Sequence, residues 1–562
     1  MKSTPTSKWQ IIKSFLKQNK LTFIFTLISG LLANVFTILI PVSLGKYFDL
    51  LFGFHSHRAA FLNRLPFTFW DTVPHYLKFL ISLIFLKMIF QYLQRFYTSY
   101  LGELFTKGLR EDLFYQQLMI KTSVYDQKGT GKYLLRHSGD LKSIQNYLTK
   151  GLIRFLIDTA LLVISLGFLF SLNEIIFLVV ILALATTIGI IYLLNKILFA
   201  VSVKRRNTRS ALLSFVSRQL RATKTIKAFN KAPTEIRKYK KRSQKLFLRG
   251  VAFQKIFHTI FVLNATLLYL ILVAVLTTIY WLKEQGRSFH SAEILGFVLL
   301  FITILPIFRR VIRVRTIWEL GNISFEKLLR VFHLPIEKKE NNLVEYKFKN
   351  GNIEVKNLGF NYENSIIFEN LNFKIEGKKV NQIKLGNGQG KSTLTKLFAG
   401  LYTPQKGKIL LDGQDAKKLT LKSIRKKVTF VSDEFTFLGS SVFEVIAYAR
   451  NENRKARAQI ILDKFQENIP DKSKLQLSDK IIEGGINLSK SQKKMLQYAR
   501  VALSNKPIIV IDEPIRNLEK NTKQNILNWL YQNKNKKTII FLCKSWNDKT
   551  ITIQNTINIP SK

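Results

Sequence analysis

Six long apolar segments, all before about residue 312, constrain the fold of this 562-residue chain more than any other feature. A helix needs about 20 apolar residues to cross the hydrocarbon layer of a membrane. Only a helix satisfies all of its own backbone hydrogen bonds within that layer when it crosses as a single segment. The sequence therefore predicts six transmembrane helices, at roughly residues 21–45, 75–97, 155–172, 174–198, 253–282 and 292–312.

The basic N-terminus leads directly into the first apolar segment, as it would in a secretory signal. No small-residue cleavage site follows, and the segment continues through Pro41, so we interpret it as the first span. No cysteine-protease domain precedes this span, and we therefore expect no role for the chain in cutting leader peptides.

Two polar inserts, between spans 2 and 3 and between spans 4 and 5, are strongly basic. Cytoplasmic loops carry an excess of Lys and Arg, so this charge places both inserts in the cytoplasm. An even number of spans puts the N-terminus and the C-terminal domain on the same side. We expect each insert to extend its membrane helices as a helical hairpin. The basic residues are Lys121, Lys128, Lys132 and Arg136 in the first insert, and Lys204, Arg205, Arg206, Arg209, Arg218 and Arg221 in the second.

The formal net charge of +51 is large enough to suggest a nucleic-acid partner. Much of that charge flanks the apolar segments, however, where anionic lipid headgroups are a sufficient partner. We therefore expect contact with membrane lipids and not with nucleic acid.

A polar stripe runs along the second span. Its spacing of i, i+4, i+7 and i+11 places the side chains on one helical face. One interpretation is a hydrated substrate pathway, since an ammonium within a membrane normally faces a bundle interior or a wet cavity. The alternative is polar helix packing or a snorkelling lysine. The stripe consists of Lys87, Gln91, Gln94 and Thr98. In the third span, Arg154 and Asp158 are spaced for an intrahelical ion pair.

The pattern of the sequence changes after residue 335, where the long apolar segments no longer occur. A charged, Asn-rich run marks a linker at 336–350, and short β-rich strands alternate with helices from 351 to 562. We therefore predict a transmembrane domain over 1–335 and an α/β domain over 351–562.

The strongest chemical signal is the stretch from Leu385 to Thr393, which follows an apolar strand and opens a helix. Glycines let backbone N–H groups converge on phosphate oxygens, and a strand–loop–helix context is what a phosphate-binding loop requires. The consensus has glycine where Leu385 stands. Lys391 is predicted to reach the β- and γ-phosphates, and Ser392 to bind Mg²⁺. The other predicted loop ligands are Gly386, Asn387, Gly388, Gln389, Gly390 and Thr393.

A second signal is the apolar strand Ile508–Ile511, which ends in Asp512 and Glu513. Asp512 is placed to hold the Mg²⁺ shell. Glu513 is placed to accept a proton from an attacking water. About 120 residues after a phosphate loop, this pair predicts ATP hydrolysis.

With these motifs, the chain resembles a bacterial ATP-binding-cassette exporter half-transporter over essentially its whole length. The resemblance implies a type IV exporter-like α-helical transmembrane domain with six spans, followed by an α/β P-loop ATPase domain that uses ATP and Mg²⁺. It implies that Tyr362 stacks on adenine, and that Tyr125–Gly131 and Thr225–Pro233 dock on the ATPase domains. It also implies that Ser489 and Gln492 belong to a signature that contacts nucleotide on an opposing subunit.

Several positions depart from the family motifs. Asp433 stands in place of the Q-loop glutamine, where the family contacts Mg²⁺, and Lys544 replaces the switch histidine. The signature glycines are Lys490 and Ser491. Arg516–Glu519 differs from the usual loop as well. We therefore expect Mg·ATP to bind but hydrolysis to be slow.

The preferred hypothesis is ATP-driven export of a peptide, lipid-like or drug-like substrate across a bacterial cell membrane. The departures favour a heterodimer in which this chain is the degenerate subunit, with a homodimer left open. The alternative is an ATP-binding regulatory or structural subunit that does not hydrolyse. An importer is disfavoured by the fused domains and exporter-like hairpins, and the substrate itself stays open.

Overall fold

The computed structural model describes residues 6–52, 72–129, 133, 135–137, 139–285, 291–337, 343–362, 365–386, 388–448 and 452–559. The chain forms two compact units. The first contains Met1–Met119 and Thr130–Leu334, and the second contains Ile120–Gly129 and Pro335–Lys562.

The chain up to residue 332 is helical in its described parts. Two of its helices, α7 and α9, have 48 and 53 residues. At about 1.5 Å per residue they are roughly 70 to 80 Å long, more than twice the thickness of a hydrocarbon layer. The helices are α1 (Lys8–Gln18), α2 (Lys20–Phe52), α3 (Val73–Met119), α4 (Thr122–Lys128, in the second unit), α5 (Gly139–Asn146), a π-helical turn (Tyr147–Ile153), α6 (Arg154–Leu172), α7 (Glu174–Arg221), α8 (Thr223–Ala228), α9 (Ala232–Glu284) and α10 (Ser291–Phe332).

Each of the six predicted membrane segments lies within one helix, namely α2, α3, α6, α7, α9 and α10. Among the described residues, four helical segments are long and apolar enough to cross a membrane: Lys20–Leu44, Val73–Met119, Glu174–Arg221 and Ala232–Glu284. The bounds of the six spans stay a prediction.

The outer surface of the first unit is apolar. Leu182, Leu193 and Val163 each expose more than 60% of their side-chain surface. Such exposure would be unfavourable in water but is expected of side chains that face lipid. Inside the unit, α2 packs against α3 and α7 against α9, while α10 contacts α2, α5 and α6.

The predicted polar stripe lies on a partly buried face of α3. Thr98 is buried, and its hydroxyl donates to the backbone oxygen of Gln94 at 2.6 Å. Lys87, Gln91 and Gln94 are half-buried. Its role as a substrate pathway stays a prediction.

The carboxylate of Asp158 has a nearer partner than the expected one. Arg310 on α10 donates two hydrogen bonds of 2.8 Å to it, one from Nε and one from Nη2. The predicted intrahelical ion pair is present as well, with the Nε of Arg154 3.8 Å from the same carboxylate. Asp158 is only 5% exposed, so α6 and α10 are joined by a bidentate ion pair that local spacing does not reveal.

Replacing Arg310 with alanine is expected to lower the apparent melting temperature of the detergent-purified chain by several degrees. Removing one partner of a buried ion pair costs about 3 to 5 kcal/mol, because the other charge stays buried. Arg310 is one-third exposed, so we expect about 2 kcal/mol. Thermal unfolding followed by tryptophan fluorescence measures the effect.

Arg154→Ala is the matched control, because it removes the same group from the same carboxylate at longer range. It should shift the melting temperature much less than Arg310→Ala. Adding Asp158→Asn to Arg310→Ala should recover part of the loss. Equal losses for the two arginines would contradict the assignment of Arg310 as the main partner.

The second unit contains two sheets in its described residues. One is antiparallel with the strand order β2-β1-β4-β5, and the other is parallel with the order β6-β7-β8-β3-β9. Within the parallel sheet, β7 and β8 are buried and almost entirely apolar, as expected of parallel strands that are covered on both faces. The strands are β1 (Ile353–Tyr362), β2 (Ser365–Ile375), β3 (Val380–Lys384), β4 (Lys406–Leu411), β5 (Gln414–Asp415), β6 (Val428–Val431), β7 (Ile508–Asp512), β8 (Thr538–Cys543) and β9 (Asn555–Asn558).

The helices of this unit lie between the strands in the α/β pattern that the sequence predicts. Together with the helical first unit, this confirms the predicted fold class. Besides α4, they are α11 (Lys391–Phe398), α12 (Leu421–Lys427), α13 (Val442–Ala447), α14 (Lys455–Phe465), α15 (Lys490–Ser504) and α16 (Lys520–Asn533).

Part of the predicted linker packs into the second unit, whose C-terminal stretch runs from Pro335 to Lys562. Tyr346 is buried, and its hydroxyl donates to Asp412 at 2.9 Å. Asp412 also accepts backbone N–H groups from residues 349–352. Residues 349–352 are polar in sequence, and the Asp412 carboxylate anchors their backbone. Residues 338–342 lie outside the described part of the chain.

Candidate active site

The phosphate-binding loop connects β3 to α11 at the carboxyl end of the parallel sheet. Gly388 and Gly390 have φ angles of +80° and +90°, a region that L side chains rarely adopt. A Cβ on Gly390 would lie 2.6 Å from the ring of Phe368, so this position excludes a side chain. The loop therefore approaches the neighbouring strand through backbone alone.

Leu385, which departs from the consensus glycine, is only 1% exposed. It belongs to the core that also contains Ile383, Leu394 and Leu397. The fold accommodates leucine at this position because the Leu385 side chain points into the core below the loop. Gln389 accepts a hydrogen bond from the backbone N–H of Gly386, and Asn387 lies outside the described residues.

Asp512 is the last residue of β7, and Glu513 follows it. Glu513 has a φ of +47°, and its N–H donates to the backbone oxygen of Leu542 at 3.1 Å. This turn brings the Glu513 carboxylate to the Nζ of Lys391, with which it forms an ion pair. The structure thus brings the predicted phosphate ligand and the predicted proton acceptor into direct contact.

These residues line one cavity of about 340 Å³. Of the predicted site residues, it collects Gly388, Gly390, Lys391, Ser392, Thr393, Asp433, Asp512 and Glu513. Its lining does not include the predicted residues Tyr362, Gly386, Gln389, Ser489, Gln492 and Lys544. It also includes Ile367, Lys494, Arg516 and Asn517, to which the sequence had assigned no ligand role.

Asp512 has the features expected of a metal ligand. Its Oδ1 is buried and accepts no hydrogen bond from any described residue. Burial raises the pKa of this carboxyl, and the ammonium of Lys494 opposes that effect. A buried carboxylate oxygen in a cavity that Ser392 also lines suits a hard cation such as Mg²⁺.

Among the described His, Cys, Asp and Glu side chains, no group of three could hold a metal alone. This fits an ion that is coordinated largely by phosphate oxygens and water, as Mg²⁺ commonly is.

Lys494 lines the cavity although the sequence motifs gave it no role. It is 5% exposed, and its Nζ donates to the backbone oxygen of Asp512 at 2.6 Å. Burial lowers the pKa of its ammonium, and the carboxylate of Asp433 is the strongest opposing influence. A signal was present, because Lys494 falls on the buried stripe of α15 with Ser491, Met495 and Tyr498 at helical spacing.

Tyr362 lies next to the phosphate-binding helix. Its hydroxyl accepts a hydrogen bond from Thr393 at 3.3 Å, and its ring packs edge-on against Phe360 and Tyr402. Its role in stacking on adenine stays a prediction.

Ser489 caps α15 in a reciprocal capping box with Gln492. Ser491, at the position of a signature glycine, is buried, and its hydroxyl accepts the N–H of Glu519 at 3.1 Å. Lys490 is exposed. The Ser491 side chain thus ties α15 to the start of α16, a contact that glycine could not make.

The two replacements nearest to catalysis occupy different surroundings. Asp433 lines the cavity. Lys544 follows β8 and is exposed, outside the cavity lining. Asp433 therefore lines the same cavity as the phosphate-binding loop, whereas Lys544 does not.

A chain of ion pairs leads from α4 to the edge of this site, all within the second unit. Asp126 on α4 accepts hydrogen bonds from Lys396 at 3.2 Å and from the Tyr402 hydroxyl at 2.7 Å. Lys396 also pairs with Glu434 at 3.2 Å, the neighbour of Asp433. One lysine of α11 therefore connects the α4 segment with the loop that carries Asp433.

Two family profiles match the chain. The profile of the ABC transporter transmembrane region matches residues 23–307, and the ABC transporter profile matches residues 368–516.

Curated relatives and a solved structure agree with these matches. The "ATP-dependent lipid A-core flippase" of Methylococcus capsulatus is 26% identical over 475 residues, covering 81% of this chain and 76% of the flippase. The Haemophilus influenzae protein of the same name is 24% identical, covering 90% and 84%. A bacterial Atm1-family ABC exporter, solved with ATP bound, has a TM-score of 0.77 at 18% identity, covering 94% of this chain and 91% of that one.

Proposed function

This chain belongs to the ABC transporter family as an exporter-type half-transporter, and on that premise we propose that it moves a lipid-like amphipathic substrate across a bacterial cell membrane. As a member of this family, the chain is an ATP-hydrolysing translocase. The observation that carries the proposal is the single cavity in which the loop lysine, Asp512 and Glu513 meet, in a chain whose membrane region matches that of ABC transporters.

A lipid-like cargo is supported by the relatives, which are named for the lipid A-core that they flip. The apolar outer surface of the helices and the half-buried polar stripe of α3 are compatible with a cargo that has both apolar and polar parts.

We propose roles for four side chains of the cavity and for the loop backbone. Lys391 and the backbone N–H groups of the loop hold the triphosphate. Ser392 and Asp512 would hold Mg²⁺, which supplies neutralisation of phosphate charge. The carboxylate of Glu513 orients the attacking water and accepts its proton. Because Lys391 contacts Glu513, binding of phosphate would draw the ammonium away and leave the carboxylate available as a base.

We further propose that the chain works as one subunit of a dimer, with a different half-transporter as the favoured partner. The support is the set of substitutions at family positions, namely Asp433, Lys490, Ser491 and Lys544. The Ser491 hydroxyl is engaged within its own subunit, and its side chain adds bulk where the motif has glycine. A signature altered in this way weakens the site of the opposing subunit.

A second candidate function is an ATP-binding regulatory subunit that does not hydrolyse. It is favoured by one observation, the exposure of Lys544 outside the cavity, since a lysine donates hydrogen bonds but cannot accept them as a histidine can.

The proposed location is the bacterial inner membrane, with the N-terminus, both inserts and the ATPase domain in the cytoplasm. The basic character of the inserts supports this orientation. The length of α7 and α9 supports inserts that extend well beyond the hydrocarbon layer.

The test begins with mass spectrometry of the chain purified from its own membranes, to identify a co-purifying half-transporter and any bound lipid. The chain, alone and with that partner, is then placed in nanodiscs of phosphatidylethanolamine and phosphatidylglycerol. ATP hydrolysis is measured with and without added core-bearing lipid A.

We expect slow hydrolysis by the chain alone, and faster, lipid-stimulated hydrolysis with the partner. An ordinary transporter rate for the chain alone, abolished by Glu513→Gln, would show that the site is not degenerate. No hydrolysis in any combination would favour the regulatory function. Hydrolysis that is unchanged by the lipid would argue against a lipid cargo.

A further inference from the structure

Helix α1 and the first residue of α2 form a cationic face on the outside of the first unit. Trp9, Lys13 and Lys17 recur every four residues, so their side chains lie on one side of α1. All three are exposed, and Lys20, which opens α2, is exposed as well. The three lysines have no carboxylate partner in the described part of the chain, and no acidic residue precedes Asp49 in the sequence. Trp9 and the three lysines are the cationic face of α1.

The opposite face of α1 is fixed to the rest of the first unit. Ile12 is only 2% exposed, and the ring of Phe15 lies 4.8 Å from that of Phe105 on α3. The ammonium of Lys8 donates to the side-chain oxygen of Asn322 on α10 at 2.6 Å. Because α1 is held along this side, its cationic face stays turned outward.

Both ends of α1 lie at a similar distance from the apolar segments. Phe105 is eight residues beyond 97, the predicted end of the second span, and Asn322 is ten beyond 312, that of the sixth. At 1.5 Å per residue these are about 12 and 15 Å. Headgroups extend roughly 5 to 8 Å beyond the hydrocarbon layer, and their charge acts over about 8 Å more at physiological salt. The cationic face is therefore within electrostatic reach of lipid headgroups.

We propose that the cationic face of α1 is a binding surface for the anionic headgroups of phospholipids in the adjacent leaflet. Lysines beside an anionic membrane surface are attracted to it, and tryptophan is enriched where a membrane meets water. The lipid in question surrounds the chain and is distinct from any lipid that the chain moves. The proposal therefore does not depend on the identity of the cargo.

A lipid surface suits this face better than an acidic segment of another protein does. The face adjoins the apolar segment Lys20–Leu44 without an intervening loop. Leu21, directly after Lys20, is 85% exposed, as expected of a side chain that lipid covers. A protein partner would have to displace lipid from the edge of that segment to reach Lys17 and Lys20.

The experiment places a probe beside the cationic face and compares its contacts with two lipids. Cys543 is buried, so Ser14→Cys supplies an accessible thiol on the exposed part of α1. The full chain is labelled there with bimane and placed in phosphatidylcholine nanodiscs. Each sample also contains a trace of spin-labelled phosphatidylglycerol or the same trace of phosphatidylcholine with the spin label at the same acyl position. Quenching of the bimane emission reports the lipid next to α1.

Phosphatidylglycerol should quench the probe about five times more than phosphatidylcholine does. That ratio corresponds to about 1 kcal/mol, the contribution of one lysine near an anionic surface. Raising the salt from about 0.1 to 1 M, which shortens the screening length from about 10 to 3 Å, should remove most of the preference. Combining Lys13→Gln, Lys17→Gln and Lys20→Gln should bring the ratio to about one. Quenching by phosphatidylcholine should not change, because the opposite face still holds the helix.

The matched control combines Lys224→Gln, Lys227→Gln and Lys231→Gln. It removes the same charge from three exposed lysines of the first unit. Lys231 is 22 residues before 253, the predicted start of the fifth span, which is about 33 Å along a helix. This control should keep the wild-type ratio.

Equal quenching of the wild-type probe by the two lipids would overturn the inference without reference to any variant. A control that lowers the ratio as much as the α1 variant does would also overturn it, since the effect would then be one of net charge. If neither lipid quenches the probe, the face does not lie at the membrane surface, and an acidic protein segment becomes the favoured occupant.

Discussion

Replacing Glu513 with glutamine is expected to reduce ATP hydrolysis, by this chain or by its dimer at this site, by about 10² to 10⁴-fold. Glutamine keeps the shape and can still orient a water, but it cannot accept the proton. ATP binding should be retained, because the loop and Lys391 are unchanged. The measurement is phosphate release under single-turnover conditions, together with equilibrium binding of ATP.

The ion pair with Lys391 sharpens this expectation. Glu513→Gln removes the negative charge that competes with phosphate for Lys391, so ATP affinity should stay equal or rise. Glu467→Gln is the matched control, because Glu467 is exposed and does not line the cavity. Hydrolysis that survives Glu513→Gln but disappears in another variant of the cavity would show that a different group is the base.

Replacing Lys391 with methionine is expected to weaken ATP binding by about 100-fold. An ammonium that donates to charged phosphate oxygens contributes about 1.5 to 3 kcal/mol per hydrogen bond. Methionine has similar length and no charge, so the loop itself should be preserved. Equilibrium binding of radiolabelled ATP in MgCl₂ measures the loss.

Lys384→Met is the control for Lys391→Met. Lys384 ends β3, seven residues earlier, and its side chain is exposed. Its replacement should change ATP affinity by less than about twofold, since exposed charges interact weakly through water. Equal losses for the two variants would indicate a general charge effect and would exclude a specific phosphate contact of Lys391.

The features that the sequence predicted correctly are those with local signals. Apolar segments of membrane-spanning length predicted the helical region, and each of them lies within one helix. The glycines from 386 to 390, between an apolar strand and a helix, predicted the loop that the structure places at the sheet edge. Spacing and hydropathy carry such information because a helix or a turn is decided by neighbours in sequence.

The long-range partners of charged side chains could not be predicted. Local spacing gave the ion pair of Arg154 with Asp158, which the structure contains, but it did not reveal Arg310, which makes the two short hydrogen bonds. Asp126 reaches Lys396 across 270 positions of the chain. An ion pair depends on which helices approach each other, and local spacing contains no record of that approach.

By itself, the sequence determined a helical region of membrane-spanning segments, an α/β domain with a phosphate-binding loop, and a carboxylate pair at the end of a buried strand. Only the tertiary structure decided which charges meet. It placed Lys494 beside Asp512, joined Lys391 to Glu513, and kept Lys544 out of the cavity. The physical reason is burial. The interaction between two charges strengthens when water is excluded around them, and burial depends on packing between distant parts of the chain.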